Sequence, residues 1–204
     1  AMAIGPKTKM IYCESVSNPL LEVADIEALS IIAKKHNIPL VVDNTFSPLS
    51  NSPAKLGADI VIHSITKFIN GTSDCVAGAV CGTKDFCLGL KDVNNGAGML
   101  LGSTLDSLRA SSILKNMRTL HIRMKKHSEN ALYLALNFEK DGLRVVYPGL
   151  KSHTGHEVMK KQFRAVINTS GRVFTLGKSS GSEQGLIRLV KEAGYGLSNI
   201  VKME

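Results

Sequence analysis

The chain has 204 residues, of which 44% are hydrophobic and 21% are charged, the balance of a folded globular protein rather than a disordered one. No apolar run approaches the roughly eighteen residues of a membrane span, and residues 1–9 lack the apolar core of a signal peptide. Composition therefore argues against a membrane partner, and we expect a soluble protein of the cytoplasm.

A net charge of +8 raises the question of nucleic-acid binding. The basic residues form two clusters, Lys115, Arg118, Arg123, Lys125 and Lys126, and then Lys151, Lys160, Lys161 and Arg164. No aromatic stacking platform or recognition motif lies among them, which argues against a nucleic-acid partner. Residues 119–140 also carry an apolar stripe at helical spacing, so the basic positions there are typical of a solvated helix face.

Periodicity and capping residues predict alternating strands and helices along the chain. We predict strands at 9–13, at 40–43, within 59–67 and at 77–82, helices at 26–36, 84–92, 105–115 and 120–140, one helical turn at 53–57, a loop at 94–98 and a further strand at 143–147. Asp25 would cap the first helix, and the last strand would open a second domain.

Two short apolar runs carry the most informative residues. Leu40–Asp43 and Asp59–Lys67 are rich in β-branched residues, which is typical of strands buried on both faces of a parallel sheet. The 44–58 segment between them is long enough for the crossover of roughly a dozen residues that parallel strands require. Parallel strands end on the same edge of a sheet, so Asp43 and Lys67 should emerge side by side, where open α/β sheets bind ligands.

An acid and an amine at neighbouring strand ends suit pyridoxal 5'-phosphate, a cofactor with an aldehyde, a ring nitrogen and a phosphate. A carboxylate beside the ring nitrogen favours its protonated form, and Asp43 is placed for this role. Lys67 offers the amine that forms a Schiff base with the aldehyde. Ser64 and Thr66 supply hydroxyls in a turn after a strand, a setting that can hold the phosphate.

Four segments also carry a resemblance to a known family. They are YCESVSNP at 12–19, VVDNTF at 41–46, LGADIVIHSITKFINGTSD at 56–74 and YPG at 147–149. From about Thr8 to about Phe163 the chain resembles the Cys/Met-metabolism family of pyridoxal phosphate enzymes. This resemblance implies an α/β fold of the aspartate aminotransferase-like type I, with a mainly parallel sheet and helices on both of its faces. The implied domains are part of the cofactor-binding large domain (1–118), a linking helix (119–140) and part of a smaller C-terminal α/β domain (141–204).

The resemblance also implies a role for each site residue. Lys67 would be the Schiff-base lysine and the base that moves protons between substrate carbons. Asp43 would pair with the ring nitrogen, and Ser64 and Thr66 would hold the phosphate. Thr45 would lie against the ring face.

Two more residues enter through the resemblance alone. Asn18 would hydrogen-bond the ring hydroxyl, and Arg188 would bind the substrate carboxylate, a bidentate task that suits a guanidinium group. The implied reaction is elimination or replacement at the γ or β carbon of a sulfur amino acid. The implied partners are this small-molecule substrate and further copies of the chain, as a homodimer or homotetramer.

Simpler explanations remain open for several of these residues. Asp43 could form a turn in Asp-Asn-Thr, and Asn18 before proline could be an ordinary turn starter. Family members also have an N-terminal portion, ahead of the strand near Tyr12, that supplies a phosphate loop and a ring that stacks on the cofactor. This chain does not contain that portion, so we expect a fragment of a longer enzyme, with an inactive truncated scaffold as the alternative.

The cysteines and histidines give no sign of a metal. The four cysteines are Cys13, Cys75, Cys81 and Cys87, and their spacing fits neither zinc ligands nor a redox pair, so reduced thiols are expected. His153 and His156 form a His-x-x-His pair that no carboxylate or cysteine pattern completes. We interpret this pair as part of a loop or a helix start.

Overall fold

The computed structural model of the chain describes residues 2–163. Four strands and six α-helices make up most of it, and we number each kind in chain order. They are β1 (Ile11–Glu14), α1 (Ile26–Lys35), β2 (Leu40–Asp43), β3 (Ile60–Ser64), β4 (Gly78–Cys81), α2 (Lys84–Gly89), α3 (Ala97–Leu100), α4 (Ser107–Met117), α5 (Leu120–Lys140) and α6 (His156–Gln162). A 3₁₀ helix, Pro53–Leu56, precedes β3, and a π-helical turn, Ile65–Ile69, follows it.

The strands form one sheet in the order β1-β2-β3-β4. β1, β2 and β3 run parallel, and β4 pairs with β3 in the antiparallel direction. Glu14 lies beside Asp43, and Asp43 lies beside Ile62. The three parallel strands therefore end along one edge. The predicted α/β class with a mainly parallel sheet is confirmed.

One face of this sheet packs on α1. The buried core there consists of Ile26, Ala33, Leu40, Val42, Ala58 and Val61. Side chains alternate along a strand, so Asp43 and its neighbour Ile62 lie on the opposite face, together with Ser64. Leu40 and Val42 are both 0% exposed, and a slip of β2 by one residue would turn them out of the core. Burial of these apolar residues thus decides which face carries Asp43.

The crossover between β1 and β2 starts as predicted. Asp25 caps α1 by accepting a hydrogen bond from the backbone nitrogen of Ala28 at 3.0 Å. In the next crossover, between β2 and β3, the predicted turn at 53–57 is the 3₁₀ helix, which ends at Gly57 with φ of 97°. A Cβ at Gly57 would lie 2.2 Å from Ser30 Oγ, so this position needs glycine for its backbone angle and for the close approach of α1.

Several predicted boundaries shift by a few residues, and one predicted strand is wrong. The helix predicted at 84–92 ends at Gly89, and α3 begins at Ala97, inside the predicted loop. Residues 143–147 form no strand. Tyr147 instead packs with Leu150 against α5 in a buried cluster. A strand needs a neighbouring edge, and no strand within residues 2–163 pairs with this segment, so its β-branched composition alone does not make it one.

α6 packs against the start of α1 through a buried glutamine. Gln162 accepts a hydrogen bond from the backbone nitrogen of Ile26 at 3.1 Å and donates one to the carbonyl of Ala24 at 3.1 Å. Lys161 forms an ion pair with Glu27 on the surface beside it. Gln162 therefore satisfies one of the backbone N–H groups that a helix start leaves without an intrahelical partner.

Replacing Gln162 with alanine is expected to lower the free energy of unfolding by about 1–3 kcal/mol. The substitution would leave the backbone nitrogen of Ile26 and the carbonyl of Ala24 without these hydrogen-bond partners. Urea denaturation would measure the change. The matched control is Lys160→Ala, which removes an exposed side chain from the same helix and should stay within ~0.5 kcal/mol of the parent chain. Equal stability of the two variants would contradict the capping role.

The remaining expectations concern thiols, metals and membranes. The four cysteines are free, and burial raises the pKa of Cys13 to about 11. His156 begins α6, as the helix-start interpretation requires. Within residues 2–163, no group of His, Cys, Asp and Glu side chains is arranged to hold a metal ion. Over the same range no helix has the length and apolar character that crossing a bilayer would require.

Candidate active site

Asp43 ends β2 with both carboxylate oxygens already in use. Oδ1 accepts a hydrogen bond from the backbone nitrogen of Thr45 at 2.8 Å, and Oδ2 accepts one from the hydroxyl of Tyr12 at 3.3 Å. Burial, and after it the negative charge of Asp43, raise the pKa of Tyr12, which keeps the phenol protonated as a donor. A carboxylate oxygen can accept two hydrogen bonds, so each oxygen keeps a position for a further donor.

Hydrogen bonds tie the ends of β2 and β3 together. The backbone nitrogen of Ser64 donates to Thr45 Oγ1 at 2.8 Å, and that of Asn44 donates to the carbonyl of Ile62 at 2.8 Å. Thr45 therefore acts as a strap between the strands. Ser64 starts the π-helical turn without a side-chain capping bond to it, which leaves its hydroxyl available on the face that carries Asp43.

Lys67 lies in the middle of that π-helical turn and is exposed. The turn is closed by hydrogen bonds from the backbone nitrogen of Asn70 to the carbonyl of Ile65 at 2.9 Å and from that of Gly71 to the carbonyl of Lys67 at 2.8 Å. The backbone at Lys67 is irregular, with φ of −86° and ψ of −121°. π-Helical turns occur frequently at functional sites, because they re-aim side chains that an α-helix would place elsewhere.

Thr66 is more constrained than the sequence suggests. Its hydroxyl donates to the carbonyl of Ala77 at 3.2 Å and accepts from the backbone nitrogen of Ala77 at 3.0 Å. This pair of bonds ties the π-helical turn to the residue before β4. The Thr66 hydroxyl could therefore donate to a phosphate only after releasing the Ala77 carbonyl.

His63 lies on the α1 side of β3 and does not join this set. Burial lowers the pKa of His63, although the negative charge of Asp43 opposes the shift. Its Nδ1 is buried and has no hydrogen-bond partner within residues 2–163. The lowered pKa favours the neutral form of the His63 imidazole.

The remaining predicted site residues are Asn18 and Arg188. Asn18 is exposed in the turn after β1, which already ends at Glu14, and its backbone nitrogen donates to Glu14 Oε2 at 2.9 Å. Arg188 lies outside the described residues. The proposed roles of both in binding remain predictions.

Two contacts at this edge were not expected from the sequence. Tyr12 reaches Asp43, and Arg123 of α5 donates to backbone carbonyls of the π-helical turn. The prediction that Arg123 lies on a solvated helix face is therefore wrong: the side chain is half-buried. No signal in the sequence pointed to this contact, because Arg123 lies in a run of basic residues and a single sequence does not show which member of such a run faces another element.

The side chains at this edge fit the three groups of pyridoxal phosphate. Asp43 keeps acceptor positions for a protonated ring nitrogen, Ser64 keeps a hydroxyl for a phosphate, and Lys67 offers an exposed amine. Asp43 and Ser64 share one face of the sheet, and Lys67 follows Ser64 in the next turn. A mainly parallel sheet with such an edge fits the class of pyridoxal phosphate enzymes of fold type I.

The particular family follows from comparison with known proteins. Residues 1–193 match the family described as Cys/Met metabolism PLP-dependent enzyme, and the chain belongs to this family. It is 45% identical over 154 residues to methionine gamma-lyase of Arabidopsis thaliana, covering 76% of this chain and 35% of the relative. It is 44% identical over 209 residues to cystathionine beta-lyase of Lactococcus lactis subsp. cremoris, covering 92% of this chain and 53% of the relative.

A solved structure agrees with the fold. The crystal structure of cystathionine gamma-lyase from Lactobacillus plantarum complexed with L-serine has a TM-score of 0.75 and 32% identity to this chain. The similarity covers 86% of this chain and 46% of that one. The chain thus spans about half, or less, of the length of the relatives it matches. Their three names describe three different reactions on sulfur amino acids.

Proposed function

We propose that this chain supplies the lysine-bearing side of the active site of a pyridoxal phosphate-dependent carbon–sulfur lyase, and that the reaction is that of a methionine gamma-lyase. Such an enzyme converts methionine to 2-oxobutanoate, ammonia and a thiol by α,γ-elimination. The observation that carries the proposal is the common face of Asp43 and Ser64, with the Lys67 turn at the same edge. The 45% identity to a methionine gamma-lyase supports the choice of substrate.

Each residue has a definite task in this proposal. When bound, pyridoxal phosphate would supply an electron sink for the charge that develops on the substrate. Lys67 would hold the cofactor through its amine and, once released, move a proton from one substrate carbon to the next. Asp43 would keep a proton on the ring nitrogen through its negative charge. Ser64 would donate a hydrogen bond to the phosphate, and Thr66 would do so after releasing the carbonyl of Ala77.

Three further assignments complete the site. Thr45 would lie against the ring while its oxygen still holds the backbone nitrogen of Ser64. Asn18 would hydrogen-bond the ring hydroxyl, and Arg188 would bind the substrate carboxylate. We also propose a cytoplasmic homodimer or homotetramer, and the division into 1–118, 119–140 and 141–204.

Related activities use the same proposed lysine, acid and phosphate site. They are those of cystathionine gamma-lyase, cystathionine gamma-synthase and O-acylhomoserine sulfhydrylase. An inactive scaffold is the alternative outside the enzyme class. The 44% identity to a cystathionine beta-lyase keeps cystathionine as the second substrate to test.

One experiment separates these possibilities. The purified protein is incubated with pyridoxal phosphate and, separately, with methionine, cystathionine, cysteine and O-acetylhomoserine, and the released keto acid and thiol are measured. We expect 2-oxobutanoate and methanethiol from methionine at the highest kcat/KM. Cleavage of cystathionine with no turnover of methionine would contradict the methionine assignment. Absence of cofactor uptake would contradict the enzyme class.

A further inference from the structure

Arg123 holds the far side of the turn that carries Lys67. Its Nη1 donates to the carbonyl of Phe68 at 2.6 Å, and its Nη2 donates to the carbonyl of Ile69 at 3.0 Å. Nη2 also donates to the carbonyl of Asn116 in α4 at 3.2 Å. One guanidinium thus joins α4, α5 and the two residues that directly follow Lys67.

The chemistry of the turn explains why a guanidinium suits this place. A short helical turn ends in carbonyl groups that have no partner within the turn, and these carry partial negative charge. The planar guanidinium presents several N–H donors in fixed directions, so it can serve two neighbouring carbonyls at once. A lysine ammonium is a single point charge and lacks this fixed geometry.

Gly71 allows the close approach. Its φ is 77°, and a Cβ built there would lie 2.4 Å from Nη1 of Arg123. Any larger residue would strain the backbone and displace the guanidinium. The close contact between the turn and Arg123 therefore requires glycine at position 71.

A second anchor, Asn70, fixes the end of the same turn. Its side chain is 0% exposed, and Nδ2 donates to Asp74 Oδ1 at 2.7 Å. Its Oδ1 accepts a hydrogen bond from Asn116 Nδ2 at 2.9 Å. Helix α4 therefore fixes the end of the turn through side chains, while α5 fixes it through Arg123.

We propose that Arg123 is a positioning residue that sets the backbone of the 65–69 turn so that the Lys67 amine meets the cofactor. It acts through the turn and touches neither cofactor nor substrate. This inference rests on the proposed function of Lys67. The backbone at Lys67 is non-helical, and Arg123 binds the two carbonyls that directly follow it, so the contact lies where the turn departs from regular geometry.

The test measures covalent attachment separately from folding. Arg123→Ala, Arg123→Lys and the parent protein are saturated with pyridoxal phosphate and reduced with borohydride, and the rate of cofactor fixation at Lys67 is followed by peptide mapping. We expect a loss of about tenfold or more in Arg123→Ala and a smaller loss in Arg123→Lys, since displacement of a reacting group by about 1 Å can cost up to ~10²-fold in rate. The pH midpoint of the visible absorbance band should also shift in both variants.

The matched control is Lys126→Ala, which removes an exposed cation from the same helix and should leave fixation and pH midpoint unchanged. Thermal unfolding without cofactor reports the effect on stability alone. A folded Arg123→Ala with the parent's fixation rate and pH midpoint would overturn the inference. If Arg123→Ala does not fold, Arg123→Lys decides, and parent-like values there would overturn it equally. A parent protein that fixes no cofactor would instead overturn the proposed function.

Discussion

Replacing Lys67 with alanine is expected to lower kcat for methionine by about 10³-fold or more. The reason is that the enzyme would lose both proposed tasks of this side chain, covalent attachment of the cofactor and proton transfer. General acid–base catalysis alone contributes ~10²–10⁴-fold to the rate. The variant should still fold, because Lys67 is exposed and the turn is held by backbone bonds and by Arg123. Turnover assays and borohydride fixation would measure both losses.

The control for this substitution is Lys55→Ala, in the 3₁₀ helix of the crossover. Lys55 is exposed like Lys67 but lies ahead of β3 rather than behind it. Its removal should leave cofactor fixation and turnover within about twofold of the parent values, because an exposed substitution away from the site should change stability by no more than ~0.5 kcal/mol. Retention of fixed cofactor in Lys67→Ala would show that another amine forms the bond and would refute the assignment.

Replacing Asp43 with asparagine is expected to lower kcat by about 10²–10³-fold, the range found when one preorganised electrostatic partner is removed from an active site. The amide is neutral and would no longer hold a proton on the ring nitrogen. Its oxygen can still accept the hydrogen bond from Thr45, which Asp43 now accepts at 2.8 Å, so the strand end should keep its shape. Steady-state kinetics and the absorbance spectrum of bound cofactor would report the change.

Asp59 provides the matched control for Asp43. It precedes β3 at the opposite edge of the sheet, where its Oδ2 accepts a hydrogen bond from the backbone nitrogen of Leu40 at 2.8 Å. Asp59→Asn removes a charge from the same pair of strands yet should change kcat by no more than about twofold. If the two variants lost activity equally, the effect would arise from strand pairing, and the ring-nitrogen role of Asp43 would fail.

The central strands were predictable because local pattern and packing agree there. Leu40–Asp43 is a short β-branched run, and the structure gives it the same bounds. The two crossovers also followed local rules, with Asp25 as a cap between β1 and β2 and Gly57 in a left-handed conformation between β2 and β3. Parallel pairing then brought Asp43 and the end of β3 to one edge, as the spacing predicted.

Contacts between distant elements were not predictable in this way. The β-branched segment 143–147 met no strand edge within residues 2–163 and became irregular, with Tyr147 buried against α5. The Thr66 hydroxyl donates a hydrogen bond to the carbonyl of Ala77, and Arg123 contacts the Lys67 turn instead of facing solvent. In each case the outcome depended on which element lay opposite the residue, and a local sequence pattern does not carry that information.

Residue order alone determined that Asp43 and Ser64 end two strands and that Lys67 follows in the next turn, because hydrophobic periodicity and turn chemistry act over a few neighbouring residues. Packing in three dimensions decided how these residues are held. Tyr12 donates to the Asp43 carboxylate, and Arg123 supports the turn from more than fifty positions along the chain. Such contacts form only when helices and sheet come together, since each buried polar group must then find a partner.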